Sequence, residues 1–317
     1  MSVGDVAAID DNQDDWMPEP DSTHDDWWRD VLHQSRVIGV VNGKGGVGKT
    51  STAANLAGEF ARNGKRVLAV DVDLNGGLGT ELGFEYTEVD DKGRGFARAV
   101  WEGDRIPRLK GVRENLDVVV GGPQLAVLSA LGSAAVDDAT ALPIKFAKCL
   151  SELAPDYDYI FLDSAPGNPV LMDMVLAAAR YLIIPTKQDR GSWKGLTLIG
   201  PRVKLAREAN PDLTFLGVLL FSVDSRSKRV IANTKARLGP EIQDRAPLFT
   251  STIRYSESFA AEARERGQLA HEVVRDVRTA LRGVADDYAN LYREVKDRVG
   301  AHELTLRAAI EAESMGA

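Results

Sequence analysis

Cysteine is almost missing from this chain: Cys149 is the only one in 317 residues. A single thiol cannot close an intrachain disulfide. Nor do it and the four histidines show the spacing that frames a zinc or iron–sulfur site. No apolar run approaches the roughly 20 residues needed to cross a bilayer, and the N-terminus does not read as a secretory signal. These absences fit a reducing, cytoplasmic setting. Aromatic residues are sparse at 7%, yet 44% of the chain is hydrophobic. That is enough for a core without covalent or metal staples. The length suits one large α/β domain or two modest ones.

Basic residues are scarce where acidic ones crowd. Residues 1–36 carry ten Asp and Glu side chains against Arg29 and Arg36, which accounts for the whole net charge of −8. The remainder is formally neutral, so its basic residues remain able to gather into a phosphate-binding patch. The acidic segment has no hydrophobic periodicity and reads as a largely disordered tail. It nevertheless holds Trp16, Trp27 and Trp28, three of the five tryptophans. The run from Trp27 to Leu32 is either a short helical turn docking on a partner or on the body, or a solvating tail whose aromatics fold back locally.

From Val37 onward, short apolar runs alternate with helical segments. Strands are expected at 37–41, 67–70, 116–120, 159–162, 181–184 and 215–221. Helices are expected at about 50–63, where Gly64 is the stop, and along the face marked by Leu142, Phe146, Cys149, Leu150 and Leu153. Such alternation predicts a doubly wound α/β fold: a mostly parallel sheet with helices on both faces. Residues 85–115 and 122–140 give no clear pattern. Val274, Val277, Leu281, Val284, Tyr288, Leu291 and Val295 form one apolar stripe, expected to pack on the sheet. The expected division is an acidic tail over 1–36, a main α/β domain over 37–299 and a helical tail over 300–317.

Gly43-Lys44-Gly45-Gly46-Val47-Gly48-Lys49-Thr50 satisfies G-x-x-x-x-G-K-[ST] between a buried strand and a helix. Glycines let the backbone curl so that its N–H groups face phosphate oxygens, and the helix N-terminus adds favourable potential. Lys49 is expected on the β- and γ-phosphates of a nucleotide, Thr50 on Mg²⁺, and Ser51 beside them. Two more strands end in carboxylates at the same edge. One is Tyr159–Asp163, in which Asp163 is expected to hold Mg²⁺ through water. The other is Arg66–Asp73, which ends in Asp71 and Asp73. Ligands of open α/β sheets bind at such carboxyl ends.

Lys44, an additional lysine inside the loop, gives K-G-G-V-G-K-T, which resembles the deviant Walker A motif of the ParA/MinD family of ATPases. Asp71-Val72-Asp73-Leu74-Asn75 resembles that family's second acidic motif, and Asp163-Ser164-Ala165-Pro166-Gly167 its Walker B and switch segment. Asn115–Val120, Ile183-Ile184-Pro185, Ile253-Arg254 and Gly267 are further matches, and the likeness spans about residues 36–290. The resemblance implies a slow ATPase, stimulated by a partner, whose two subunits sandwich ATP. It places Lys44 of each subunit on the phosphates of the other, Asp71 near Mg²⁺, Asp73 behind the attacking water and Pro185 beside adenine. Asn75 stands where the family usually has Gln.

Branches of the family differ in what they position. MinD-like proteins end in a basic membrane helix, whereas residues 301–313 hold three glutamates and one arginine, so no membrane partner is expected. The paired cysteines of iron–sulfur relatives and the C-terminal tyrosine cluster of bacterial tyrosine kinases do not occur. DNA segregation remains. It implies non-specific DNA binding by the ATP-bound homodimer, association with the nucleoid, and a ParB-like partner. Arg226, Lys228, Arg229, Lys235 and Arg237, within twelve residues, are the candidate DNA patch; an exposed solvated face is the alternative use of such a run. Positioning of protein cargo is the alternative function. A related GTPase is a further one, because Thr186-Lys187-Gln188-Asp189 resembles a T-K-x-D guanine reader.

Overall fold

The structure is a computed structural model, and it describes residues 27–134, 141–224, 232–234, 236, 246–273 and 282–316. Four strands are buried at every residue: β1 (Val37–Val40), β2 (Val67–Val72), β5 (Tyr159–Ser164) and β6 (Tyr181–Thr186). Continuous apolar strands of this kind belong inside a sheet covered on both faces. β3 (Leu109–Arg113), β4 (Leu116–Val119), β7 (Thr214–Val223) and β8 (Leu248–Arg254) complete an eight-stranded sheet of order β3-β4-β2-β5-β1-β6-β7-β8. Every neighbouring pair is parallel except β3 with β4.

Side chains alternate between two apolar layers, as the period of a strand requires. Ile38, Ala69, Phe161, Tyr181 and Ile183 face one layer, and Val37, Leu68, Val70, Ile160, Leu162 and Leu182 the other. The first layer is closed by α2 (Lys49–Arg62) and by the long α11 (Arg282–Gly316), whose Val284, Tyr288, Leu291, Val295 and Val299 are buried. Phe60 of α2 is wedged between the sheet and α11, its ring 4.2 Å from that of Tyr159 and 4.7 Å from that of Tyr292. The second layer is closed by α1 (Trp27–Gln34), α4 (Arg94–Glu102), α6 (Ala141–Ser151), α7 (Pro169–Ala178) and α8 (Arg190–Ala209). The short α3 (Gly77–Leu82), α5 (Ala126–Ala134), α9 (Glu257–Arg266) and α10 (Ala270–Val273) connect them. Among the described residues no helix is long and apolar enough to cross a membrane.

Two expected boundaries move. The acidic segment does not stay apart from the fold up to residue 36. Its last part is α1, and Trp28 and Leu32 are 2% and 1% exposed in the same cluster as Phe146 and Leu150 of α6. Burial of one tryptophan outweighs the solvating tendency of the aspartates beside it. Residues 1–26 lie outside the described residues. At the other end, the expected break at 299/300 falls inside α11, which runs on without interruption. Glu303 of that helix pairs with Arg36 at 2.6 Å, and the His302 ring stacks edge-on against Tyr181. Val274, Val277 and Leu281 of the predicted stripe lie outside the described residues. Trp28→Ala should lower unfolding stability by about 3–5 kcal/mol, the usual result of emptying a large aromatic site, as measured by urea denaturation. A change below about 1 kcal/mol would mean that α1 does not hold the body together.

Edge strands escaped the pattern analysis for a physical reason. In β3 only Leu109 is buried, and β8 buries just Phe249 and Ile253. The edge of β8 is covered by α11 through carboxylates. Glu294 accepts from the Thr250 and Ser251 backbone N–H groups at 2.7 and 2.8 Å, and Asp287 accepts from that of Arg254 at 2.9 Å. Capped donors of this sort blunt the β8 edge against pairing with another chain.

Candidate nucleotide-binding site

The carboxyl ends of β2, β5 and β1 lie side by side in the middle of the sheet, and three acidic side chains and the glycine loop meet there. The loop 41–48 leaves β1 and enters α2, where Gly48 occupies the N-cap position at φ 91° with no side chain capping the first turn. A Cβ on Gly48 would come within 2.5 Å of the Phe221 ring of β7, so only glycine fits this position. The backbone donors of the first turn of α2 are thereby left for an anion.

The two lysines of the loop have different surroundings. Lys49 is 6% exposed, and its ammonium donates to the Lys44 carbonyl at 3.1 Å. Burial lowers its pKa, against the opposing pull of the Asp163 and Asp73 charges. Lys44 sits on the rim with its side chain 40% exposed, its ammonium 2.8 Å from Asp189. Asn42, fully buried, holds the start of the loop: its Oδ1 accepts from the Lys44 N–H at 2.9 Å and its Nδ2 donates to the Pro185 carbonyl at 2.7 Å.

Asp71 and Asp163 are direct neighbours in the register of β2 and β5, and neither is exposed at all. Burial, and then the charge of Asp163, raise the Asp71 pKa well above the usual carboxylate range. Its oxygens accept from the backbone N–H groups of Asp73 at 3.1 Å and Leu78 at 2.9 Å. The end of β4 closes over it: a Cβ on Gly121 would lie 2.2 Å from the Asp71 carbonyl oxygen. Asp163 is pushed up to about 7 by burial, and the Thr50 hydroxyl beside it works against that rise. Neither Asp163 carboxylate oxygen completes a hydrogen bond of ordinary geometry. Asp73, 6% exposed, is also raised by burial, and its Oδ1 accepts from both the backbone and the side-chain N–H of Asn75 at 3.0 Å.

Orphaned, buried oxygens at Asp163 fit a divalent cation, which would satisfy them and restore their charge. Among the described residues no group of three or more His, Cys, Asp or Glu side chains could hold a metal alone. The pair of carboxylates with Thr50 therefore suits Mg²⁺, which keeps waters and takes further oxygens from phosphates.

Most of the residues singled out from sequence come together here: the glycine loop with Lys44, Lys49 and Thr50, the three aspartates, and Pro185 through Asn42. The Ser51 hydroxyl donates to Glu81 at 2.7 Å. Arg226, Lys228, Arg229, Lys235 and Arg237 of the basic cluster all lie outside the described residues. Asn42 and Glu81 were missed. A polar residue directly after a buried strand was the available signal for Asn42; Glu81 gave none, since its partners Ser51 and Arg264 are remote in sequence.

The profile of the AAA domain family matches residues 35–215. The chromosome-partitioning ATPase Soj of Thermus thermophilus is 30% identical over 259 residues, which cover 77% of this chain and 98% of Soj. A complex of Cyanothece McdA with ATP superposes with a TM-score of 0.67 at 22% identity, over 84% of this chain and 97% of McdA. Mycobacterium smegmatis cobyrinic acid a,c-diamide synthase with bound ADP and magnesium does so at 0.59 and 26%, over 77% and 97%. An eight-stranded sheet of this order, and a match running almost end to end through a Soj ATPase, place the chain in the ParA/MinD family of P-loop ATPases.

Proposed function

We propose that the protein is a ParA-type partition ATPase: it dimerises on ATP, binds DNA without sequence preference as a dimer, and hydrolyses ATP slowly until a ParB-like partner stimulates it. The observation that carries this reading is the division of labour between the two loop lysines. Lys49 is buried against the acidic cluster, and Lys44 stands on the rim where a second subunit can meet it.

On this reading the loop N–H groups and Lys49 hold the β- and γ-phosphates, Thr50, Asp71 and Asp163 hold Mg²⁺, and Pro185 borders adenine. Mg²⁺ supplies neutralisation of phosphate charge. Asp73 orients a water against the γ-phosphorus and takes its proton. The new P–O bond forms as the β–γ bridging bond breaks, leaving ADP and phosphate. Burial makes Asp73 a stronger base than a free aspartate, which suits that task. Lys44 of the second subunit neutralises the charge developing on the transferring group.

The DNA part rests on the basic run at 226–237 and on the likeness to Soj. Replacing Arg226, Lys228 and Arg229 by Ala should weaken binding to any duplex equally. It should also flatten the slope of log affinity against log salt by about 3, while ATP affinity holds. The direct test of the function is binding to a random duplex with ADP, ATP and GTP at low and moderate salt. Binding with ATP alone, falling steeply with salt, supports partition. An ATP-dependent dimer that ignores DNA moves the function to positioning protein cargo, and preference for GTP makes the protein a GTPase.

A further inference from the structure

Lys44 is held at both ends by a single short stretch of chain. Its backbone N–H is fixed through fully buried Asn42 to the Pro185 carbonyl at the end of β6. Its ammonium lies 2.8 Å from Asp189, four residues further on and directly before α8. Both partners belong to the same subunit. A lysine so placed rests against its own subunit's carboxylate, and reaching another subunit's phosphates means giving that carboxylate up.

We infer that Asp189 is a positioning residue: it ties Lys44 within its own subunit until the phosphates of a second, ATP-loaded subunit compete for it. The inference rests on the cross-subunit role proposed for Lys44. The tie sets a resting position without locking it. The two side chains are 40% and 49% exposed, and exposed ion pairs are worth little. A nucleotide triphosphate carries far more charge than one carboxylate, so it wins the lysine once the subunits meet. ADP, lacking the γ-phosphate, competes less well. Asp189 thereby raises the threshold for dimerisation, which the ATP-loaded subunits clear and the weaker ADP-loaded pair does not. This use of the carboxylate differs from the guanine reading that Thr186-Lys187-Gln188-Asp189 resembles, in which Asp189 faces a base.

The test is sedimentation of the full-length protein with a non-hydrolysable ATP analogue and with ADP, comparing wild type, Asp189→Asn and Asp189→Glu. Each dimer releases two such ties. Asp189→Asn should therefore tighten the analogue-bound dimer about fourfold, roughly twofold for each exposed pair, and raise the ADP-bound dimer fraction. Asp189→Glu should restore wild-type behaviour, with monomer affinity for the analogue equal in all three. A dimer constant that is unchanged or weaker in Asp189→Asn overturns the tie while leaving the role of Lys44 standing. Loss of GTP affinity in that variant, with no change in dimerisation, overturns it in favour of base reading. If wild type forms no dimer with the analogue, the cross-subunit role fails and the tie falls with it.

Discussion

Lys44→Ala should abolish the ATP-dependent dimer and cut ATP turnover by roughly 10³-fold or more, the scale of losing a cation supplied in trans to a phosphoryl transfer. The monomer should still bind ATP with nearly unchanged affinity. The reason is geometric: Lys49, buried beside Asp73 and Asp163, is the cation inside the subunit's own site, and Lys44 lies on the rim. Removing Lys44 leaves the internal cradle intact, and Asn42 still holds the loop through the backbone N–H of residue 44. Equilibrium nucleotide binding together with sedimentation separates the two effects. A dimer that persists in Lys44→Ala would sink the cross-subunit role, whatever happened to turnover.

Asp73→Ala should do the reverse: a stable ATP-bound dimer whose turnover falls by about 10²- to 10⁴-fold, the range for losing a positioned general base. Asp73 is suited to that role because burial raises its basicity and it stands at the loop end of β2, past Asp71. Asp71 spends its two oxygens on the N–H groups of Asp73 and Leu78 and shapes the end of β2. Asp73 accepts from the backbone and side-chain N–H of Asn75 through one oxygen, Oδ1. Single-turnover hydrolysis in preformed dimers reads the chemical step directly. Wild-type rates there would refute the assignment, and a variant that fails to dimerise would move Asp73 from chemistry to structure. Asn75 also gains a meaning here. Where the family usually has Gln, the shorter side chain reaches the carboxylate just two residues back.

Interior strands were legible because a strand covered on both faces is apolar along most of its length, up to the carboxyl ends where Asp71 and Asp163 stand. β1, β2, β5 and β6 read directly as such runs. β3 and β8, at the two edges, have mostly polar or half-exposed residues and carry no such signal. The glycine loop was legible because its geometry is local: strand, curled backbone and helix follow one another within a few residues. α7 and α8 were not assigned. α7 is apolar nearly all round and has no stripe to detect. α8 contains Pro201, which argues against an uninterrupted helix when only local rules are applied.

The sequence by itself determined the alternation of strands and helices, the phosphate-binding loop with its two lysines, and the carboxylates that end its strands, since each depends on neighbours a few residues away. Tertiary structure alone decided which strands stand side by side. It set Asp71 against Asp163 across ninety-two residues of chain, Trp28 into a core that its acidic neighbours concealed, and Lys44 onto Asp189. Pairing, burial and charge competition act through space, and no spacing along the chain records them.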